Sequence, residues 1–183
     1  MTEPPELWAT RIKPERAPRV VREEDGGWWF VDGIRTNSFQ GGVQAGKRFE
    51  RPDQLGHAGR FADVRPGSYL PAEHIKDNEA DGIYGSALYP TEGLLLFRVP
   101  DSELLSAVFR AYNDWIAEFC RACPRRLKGI ALIDVDDIPG AIKEPEHARK
   151  LGLAGAMITV YPADDRSRTT SPSGGRPRIW RCP

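Results

Sequence analysis

The sequence has no excess of charge and no long apolar run, and both absences exclude classes of protein. Its 183 residues carry 26 Lys and Arg against 26 Asp and Glu. A net charge of zero gives no electrostatic reason to expect binding to nucleic acid or to an anionic membrane. No apolar run approaches the roughly 18 residues that span a bilayer, and residues 1–25 lack a signal-peptide pattern. We therefore expect a cytoplasmic protein that binds neither nucleic acid nor membrane.

Cysteine is also scarce. The chain has three cysteines, which do not make a disulfide framework. Cys120 and Cys123 form a C-x-x-C pair, but a zinc site needs two further ligands, and a redox pair normally opens a helix. We interpret them as two cysteines near a helix end.

A repeated unit dominates what is present: three times a helix-like stretch ends near Gly and leads into a short apolar strand. These strands fall within 81–90, 127–134 and 152–162. A continuous apolar run between helices is typical of a parallel strand buried on both faces, and its repetition indicates an α/β fold. Such folds place their chemistry beyond the carboxyl ends of the strands. We predict helices from Pro71 to about Glu79, from Asp101 or Ser102 until Pro124, and from Ile138 to Lys150.

The flanking regions differ from this unit. Residues 1–25 predict irregular structure with a short helical turn. Aromatic residues and an Asp-Gly turn predict a small β-hairpin over 26–35, followed by a Gly-rich loop to residue 70. Residues 163–183 are rich in Arg, Ser, Gly and Pro without an apolar period, which predicts a disordered tail.

Four segments resemble the amidohydrolase-related family, the metal-dependent (β/α)8-barrel group that includes aminocarboxymuconate semialdehyde decarboxylase. They are Thr-Glu-Pro-Pro-Glu-Leu-Trp at 2–8, Arg-Ala-Pro-Arg-Val at 16–20, the stretch 81–90, and Pro-Arg-Arg-Leu-Lys-Gly at 124–129. The resemblance implies an incomplete (β/α)8 TIM barrel over 1–162, with the hairpin and the Gly-rich insertion at about 26–70.

The departures from the family lead us to expect an N- and C-terminally truncated fragment. The family's first strand, with its metal-binding His motif, would precede Met1, and its later His- and Asp-bearing strands would follow residue 162. Two interpretations of the tail stay open. One is a frameshift near 163–167, because a shifted frame resembles the family's continuation. The other is a genuine disordered tail.

The resemblance also implies site residues. Glu3 matches the Glu after the family's metal motif and is the metal-site candidate, with a surface or capping acid as the alternative. Tyr89 and Tyr161 follow strands and are the candidates for substrate binding, with packed rim tyrosines as the alternative. The cofactor implied is a divalent metal, zinc or manganese, that polarises substrate or activates water. The substrate implied is a small molecule that bears a carboxylate or carbonyl group.

Other polar residues have simpler interpretations. Asp134, Asp136 and Asp137 follow the second strand, where they suit a metal site or, more simply, the start of the next helix. His57, His74 and His147 are interpreted as solvated surface histidines.

Two functions follow. The first is a metal-dependent amidohydrolase-type hydrolase or decarboxylase (a carbon-carbon lyase), impaired because this chain lacks the metal-ligand strands and so is not expected to hold the ion. The second is a non-enzymatic interaction fragment, or pseudoenzyme, that pairs with an intact paralogue. Open sheet edges also predict homo-oligomers.

Overall fold

The computed structural model describes residues 1–39, 42–45, 47, 50, 52 and 59–158. Two three-stranded sheets organise this part of the chain. The first is antiparallel and consists of β1 (Arg19–Glu23), β2 (Gly26–Val31) and β3 (Ile34–Ser38), in that order. The predicted hairpin is confirmed as β2 and β3. The prediction missed β1, which lies in the stretch expected to be irregular.

The turn between β2 and β3 explains why the hairpin was visible in the sequence. Asp32 and Gly33 both have positive φ, 48° and 78°. A two-residue turn with this backbone matches the right-handed twist of the strands that it joins, and Asp-Gly is a favoured sequence for it.

The second sheet is parallel and alternates with helices, as the repeated unit predicted. Strand β5 lies at its centre, with β4 and β6 on either side. The elements in chain order are α1 (Pro71–Ala80), β4 (Ser86–Leu88), α2 (Glu92–Leu96), α3 (Ser102–Arg121), β5 (Leu127–Leu132), α4 (Ile138–Leu151) and β6 (Gly155–Met157). The mixed α/β class is confirmed, helix α2 was not predicted, and a barrel stays a prediction.

Helix boundaries follow capping chemistry. Asp101 accepts a hydrogen bond from the Leu104 N–H at 3.0 Å and begins α3, and Asp137 caps α4 through the Gly140 N–H at 3.1 Å. Each satisfies a backbone donor that the first turn leaves free. Gly152, with φ of 84°, ends α4 in the left-handed conformation that glycine adopts without strain.

Burial within the parallel sheet is uneven, which corrects the expectation of strands buried on both faces. Strand β5 is mostly buried, whereas Ala87 of β4 and Gly155 and Ala156 of β6 are exposed. The physical reason is that α3 packs along β5. There Gly129 allows a close approach, because an added methyl group would lie 3.0 Å from Ile116 Cγ1.

An aromatic core joins the N-terminal segment to the antiparallel sheet. Trp8 and Trp29 pack edge to face with ring centroids 5.2 Å apart, and Phe39 and Phe61 extend this chain of rings. The Trp8 indole N–H donates to the Val108 carbonyl of α3 at 3.1 Å, so this core also contacts the helix that covers the parallel sheet. No helix of the described residues has the length and apolar character that a membrane span needs.

Candidate functional site at the carboxyl edge of the parallel sheet

The three parallel strands end at one edge of their sheet, which we call the carboxyl edge. Tyr89 follows β4 and is 51% exposed, Asp134 lies two residues beyond β5 and is buried, and Ile158 follows β6 and is 55% exposed. Tyr161, the second predicted substrate contact, lies outside the described residues. The structure therefore places Tyr89 at this edge, and its contact with substrate stays a prediction.

Glu3 lies at the same edge with a fully buried side chain. Its carboxylate accepts hydrogen bonds from three consecutive backbone N–H groups, those of Thr91 at 3.1 Å, Glu92 at 3.2 Å and Gly93 at 3.2 Å. These amides open α2, whose N-terminal end favours negative charge. Glu3 is thus a buried capping acid; its role as a metal ligand stays a prediction.

A second buried carboxyl group lies next to Glu3. Glu92 is 4% exposed, and its Oε2 accepts a hydrogen bond from the Asn37 side chain of β3 at 3.1 Å. Burial, and then the charge of Glu3, raise the pKa of Glu92 to about 8. Burial also raises the pKa of Glu3, although the amides of α2 oppose that change. At neutral pH Glu92 is therefore mainly protonated.

Tyr112 of α3 adds a further polar group to this region. Its side chain is fully buried, and its hydroxyl has no hydrogen-bond partner among the described residues. Burial, and then the charge of Glu3, raise the pKa of Tyr112. The phenol therefore stays neutral at any physiological pH.

Asp134 and Asp137 form a separate cluster beyond β5. Asp134 accepts hydrogen bonds from the Ser102 hydroxyl and from the Asp136 N–H at 3.0 Å, and Asp137 accepts from the Ser106 hydroxyl at 3.2 Å. A cavity of about 260 Å³ lies beside them. Because Asp137 caps α4, the simpler interpretation of this acid, the start of a helix, is the one the structure supports.

The histidines and cysteines lie away from the carboxyl edge where they are described. His74 was expected on the solvated surface, but it is half-buried and bonds the Gly67 carbonyl at 2.8 Å and Ser86 at 3.2 Å. His147 is likewise half-buried and pairs with Asp114 at 2.9 Å. These two interpretations were wrong because both rings bridge neighbouring segments. His57 lies outside the described residues, and Cys120 and Cys123 are free thiols.

The described side chains do not fit the metal centre that the resemblance implies. Within residues 1–39, 42–45, 47, 50, 52 and 59–158, no group of three or more His, Cys, Asp or Glu side chains is placed to hold an ion. Such a centre takes three or four protein ligands. The oxygens of Glu3 are also already hydrogen-bonded to amides. No reaction step through a metal follows from these residues.

Sequence reasoning missed Glu92, Asn37 and Asn113. Asn113 is fully buried in α3, and its side chain bonds both the N–H and the carbonyl of Leu132, at 2.7 and 2.9 Å. The only available signal was a polar residue inside the apolar period of α3. Nothing marked Glu92, because a Glu in the first turn of a helix is usually exposed.

Comparisons with known proteins give a partial likeness to solved structures. No known protein family and no curated protein matches the chain. Two crystal structures of 2,6-dihydroxybenzoate decarboxylase match, one in complex with 2,6-dihydroxybenzoate and the other from Rhizobium, with TM-scores of 0.44 and 0.45. Each is 26% identical over 49% of this chain and 28% of its own. The chain thus spans little more than a quarter of these structures, and scores at this level establish neither a shared fold nor a family.

Proposed function

We propose that this chain is an amidohydrolase-related protein that binds a small carboxylate-bearing molecule at the carboxyl edge, with weak or no hydrolase or decarboxylase activity of its own. The observation that carries the proposal is the half-exposed Tyr89 at the end of a parallel strand. The order of the segments that resemble the family supports it as well.

The electrostatics of the carboxyl edge are compatible with an anionic ligand. Three of its acids are buried and hydrogen-bonded: Glu3 by the amides of α2, Glu92 as a protonated group, and Asp134 by Ser102. These three groups present little negative charge to solvent, whereas Asp136 and Asp137 beyond β5 are half-buried. The phenol of Tyr89 is available as a hydrogen-bond donor.

Ligand titration tests this proposal, with 2,6-dihydroxybenzoate as a probe of the substrate class. We expect the probe to shift the amide resonances of Leu88, Tyr89 and Thr91, and Tyr89→Phe to weaken binding about tenfold through loss of one hydrogen bond to a charged group. Tyr84→Phe is the matched control, because Tyr84 is exposed but precedes β4. Equal affinity in both variants, or no shift in the wild type, excludes carboxylate binding at Tyr89.

The same samples test catalysis. Carbon dioxide release from the probe is measured with the purified chain alone, then with added zinc or manganese. We expect little or no release in either case, because the described residues offer no metal centre. Rapid release that depends on metal would show an active enzyme and would refute the impairment.

A non-enzymatic interaction role is the second candidate, favoured by an apolar patch on α4. Ile138 and Ile142 lie one turn apart on this helix and are 62% and 71% exposed. Light scattering after gel filtration tests it: an oligomer that Ile142→Glu converts to a monomer supports association through α4. If the protein is a monomer at all concentrations, self-association is excluded as the role of this patch.

A further inference from the structure

We propose that Glu3 is a positioning residue, whose carboxylate anchors the N-terminal segment across the carboxyl end of β4. The contacts of Glu3 support the anchoring itself. Only the importance of the anchor for ligand binding rests on the proposed function. This role differs from the metal-ligand role that the family resemblance implies for the same residue.

The contacts of Glu3 join residues that are about half of the chain apart in sequence. Residues 3 and 91–93 are nearly 90 positions apart, and three consecutive amides converge on one carboxylate. A carboxylate that accepts several backbone N–H groups makes charge-assisted bonds stronger than neutral ones. The side chain has no exposed surface, so an ion would reach these oxygens only by displacing the amides.

Neighbouring contacts fix the same segment at further points. The Thr2 N–H donates to the Ser68 carbonyl at 3.0 Å, and the Thr91 hydroxyl donates to the carbonyl of Met1. Farther along, the buried Trp8 bonds α3 through Val108. The segment is therefore held from both sides of Glu3, and it in turn holds Thr91, two residues after Tyr89.

Amide hydrogen exchange on the full chain tests the anchor. In the wild type we expect protected amides at Thr91, Glu92 and Gly93. Glu3→Ala should speed their exchange by about tenfold or more, the factor expected for loss of hydrogen bonds to a charged group. Glu3→Gln should give a smaller change, because its amide oxygen still accepts a hydrogen bond.

Two controls keep the result specific. Glu6→Gln changes an exposed acid of the same segment and should leave the three amides unaffected. The Leu132 amide, bonded to Asn113, should keep its protection in every variant that folds. If Glu3→Ala does not fold, the exchange rates of the amides at 91–93 in the wild type and in Glu3→Gln still show whether Glu3 is the anchor.

The proposal that Glu3 is an anchor is refuted if the amides at 91–93 are unprotected in the wild type, or if their exchange is unchanged in a folded Glu3→Ala variant. It is also refuted if Glu3→Gln abolishes zinc binding without changing the exchange of those amides. Zinc binding that is equal in both proteins, or absent from both, supports the anchor. These samples contain no 2,6-dihydroxybenzoate, so failure of the proposed carboxylate binding does not alter the outcome.

Discussion

The two sheets have the same number of strands but are held together in different ways. Short turns join the antiparallel strands, and β2 alternates strictly, with Gly27, Trp29 and Val31 buried between less buried neighbours. Helices separate the parallel strands, and neither β4 nor β6 pairs along the whole of β5. The antiparallel sheet is therefore built from local pairing over an aromatic core.

The parallel sheet depends on side-chain hydrogen bonds where its strands stop pairing. Beyond Gly129, β5 loses β4 as a neighbour, and Asn113 bonds the backbone of Leu132 instead. Just past β4, Glu3 satisfies three amides. Aromatic packing therefore stabilises one sheet, whereas a few buried polar side chains stabilise the carboxyl edge of the other.

Of the variants considered, Asn113→Ala should destabilise the protein most. It removes the partner of a buried N–H and of a buried carbonyl at Leu132, which costs about 4 to 5 kcal/mol of unfolding free energy. Urea denaturation measures the loss. Thr36→Ala is the matched control from the antiparallel sheet, since the half-buried Thr36 hydroxyl donates to the Trp29 carbonyl within that sheet, and should cost about 1 kcal/mol. Equal losses would contradict the proposed difference between the sheets.

The hydrogen bond between Asn37 of β3 and Glu92 of α2 should respond to pH. The pKa of Glu92 is about 8 in the fold, raised from 4.5, so the folded state binds the proton more tightly than the unfolded chain. The contribution of Glu92 to stability is therefore greatest at low pH and falls as pH rises from about 4.5 to 8, by roughly 3 kcal/mol between pH 5 and pH 8. Glu3, whose pKa is also raised, adds a change of the same sign.

Glu92→Gln isolates this contribution. We expect the variant to lose most of the decrease in stability between pH 5 and pH 8, because its side chain stays neutral and still accepts from Asn37. Denaturation in urea at both pH values measures it, with the exposed Glu103→Gln as control. A slope equal to that of the wild type would show that Glu92 does not titrate in this range.

Local signals were sufficient for much of the fold. The apolar period of α3, its Asp101 cap and the glycines after α1 and α4 each act within a few residues, and so does the Asp-Gly turn. Strand β1 was missed because its residues, Arg-Val-Val-Arg-Glu, show little alternation and pair only because the hairpin offers an edge. Helix α2 has five residues, too few for a period.

The site was predicted less well because its contacts are long-range. Glu3 was selected through a family resemblance, yet its burial depends on amides at 91–93. Asn37 and Glu92, 55 residues apart, meet only after both sheets form. Sequence patterns indicate which face of an element is apolar, but not which polar group accompanies it into the interior.

Substitutions at two glycines, one on the central strand of the parallel sheet and one on an edge strand, compare how tightly these strands are packed. A methyl group at Gly129 would lie 3.0 Å from Ile116 Cγ1 of α3 and 2.8 Å from Leu153 Cδ2, whereas one at Gly155 would lie 3.4 Å from Ile130 Cδ1, an ordinary contact. We expect Gly129→Ala to cost about 2 kcal/mol through overpacking, and Gly155→Ala to change stability by less than about 0.5 kcal/mol. Thermal denaturation of both variants measures this, and a reversed order would exclude tight packing of α3 on β5.

The smallest difference in stability that we expect is between variants of two tryptophans in the aromatic core. Trp8 and Trp29 are both fully buried and touch each other, but only the Trp8 indole N–H has a hydrogen-bond partner among the described residues. Trp8→Phe loses that bond, whereas Trp29→Phe removes a buried donor that is already unpaired. We therefore expect Trp8→Phe to cost about 1 kcal/mol more than Trp29→Phe in urea denaturation. Since both changes remove the same ring atoms, an equal cost would mean that the N-terminal segment and α3 are joined by packing alone, without the bond from Trp8 to Val108.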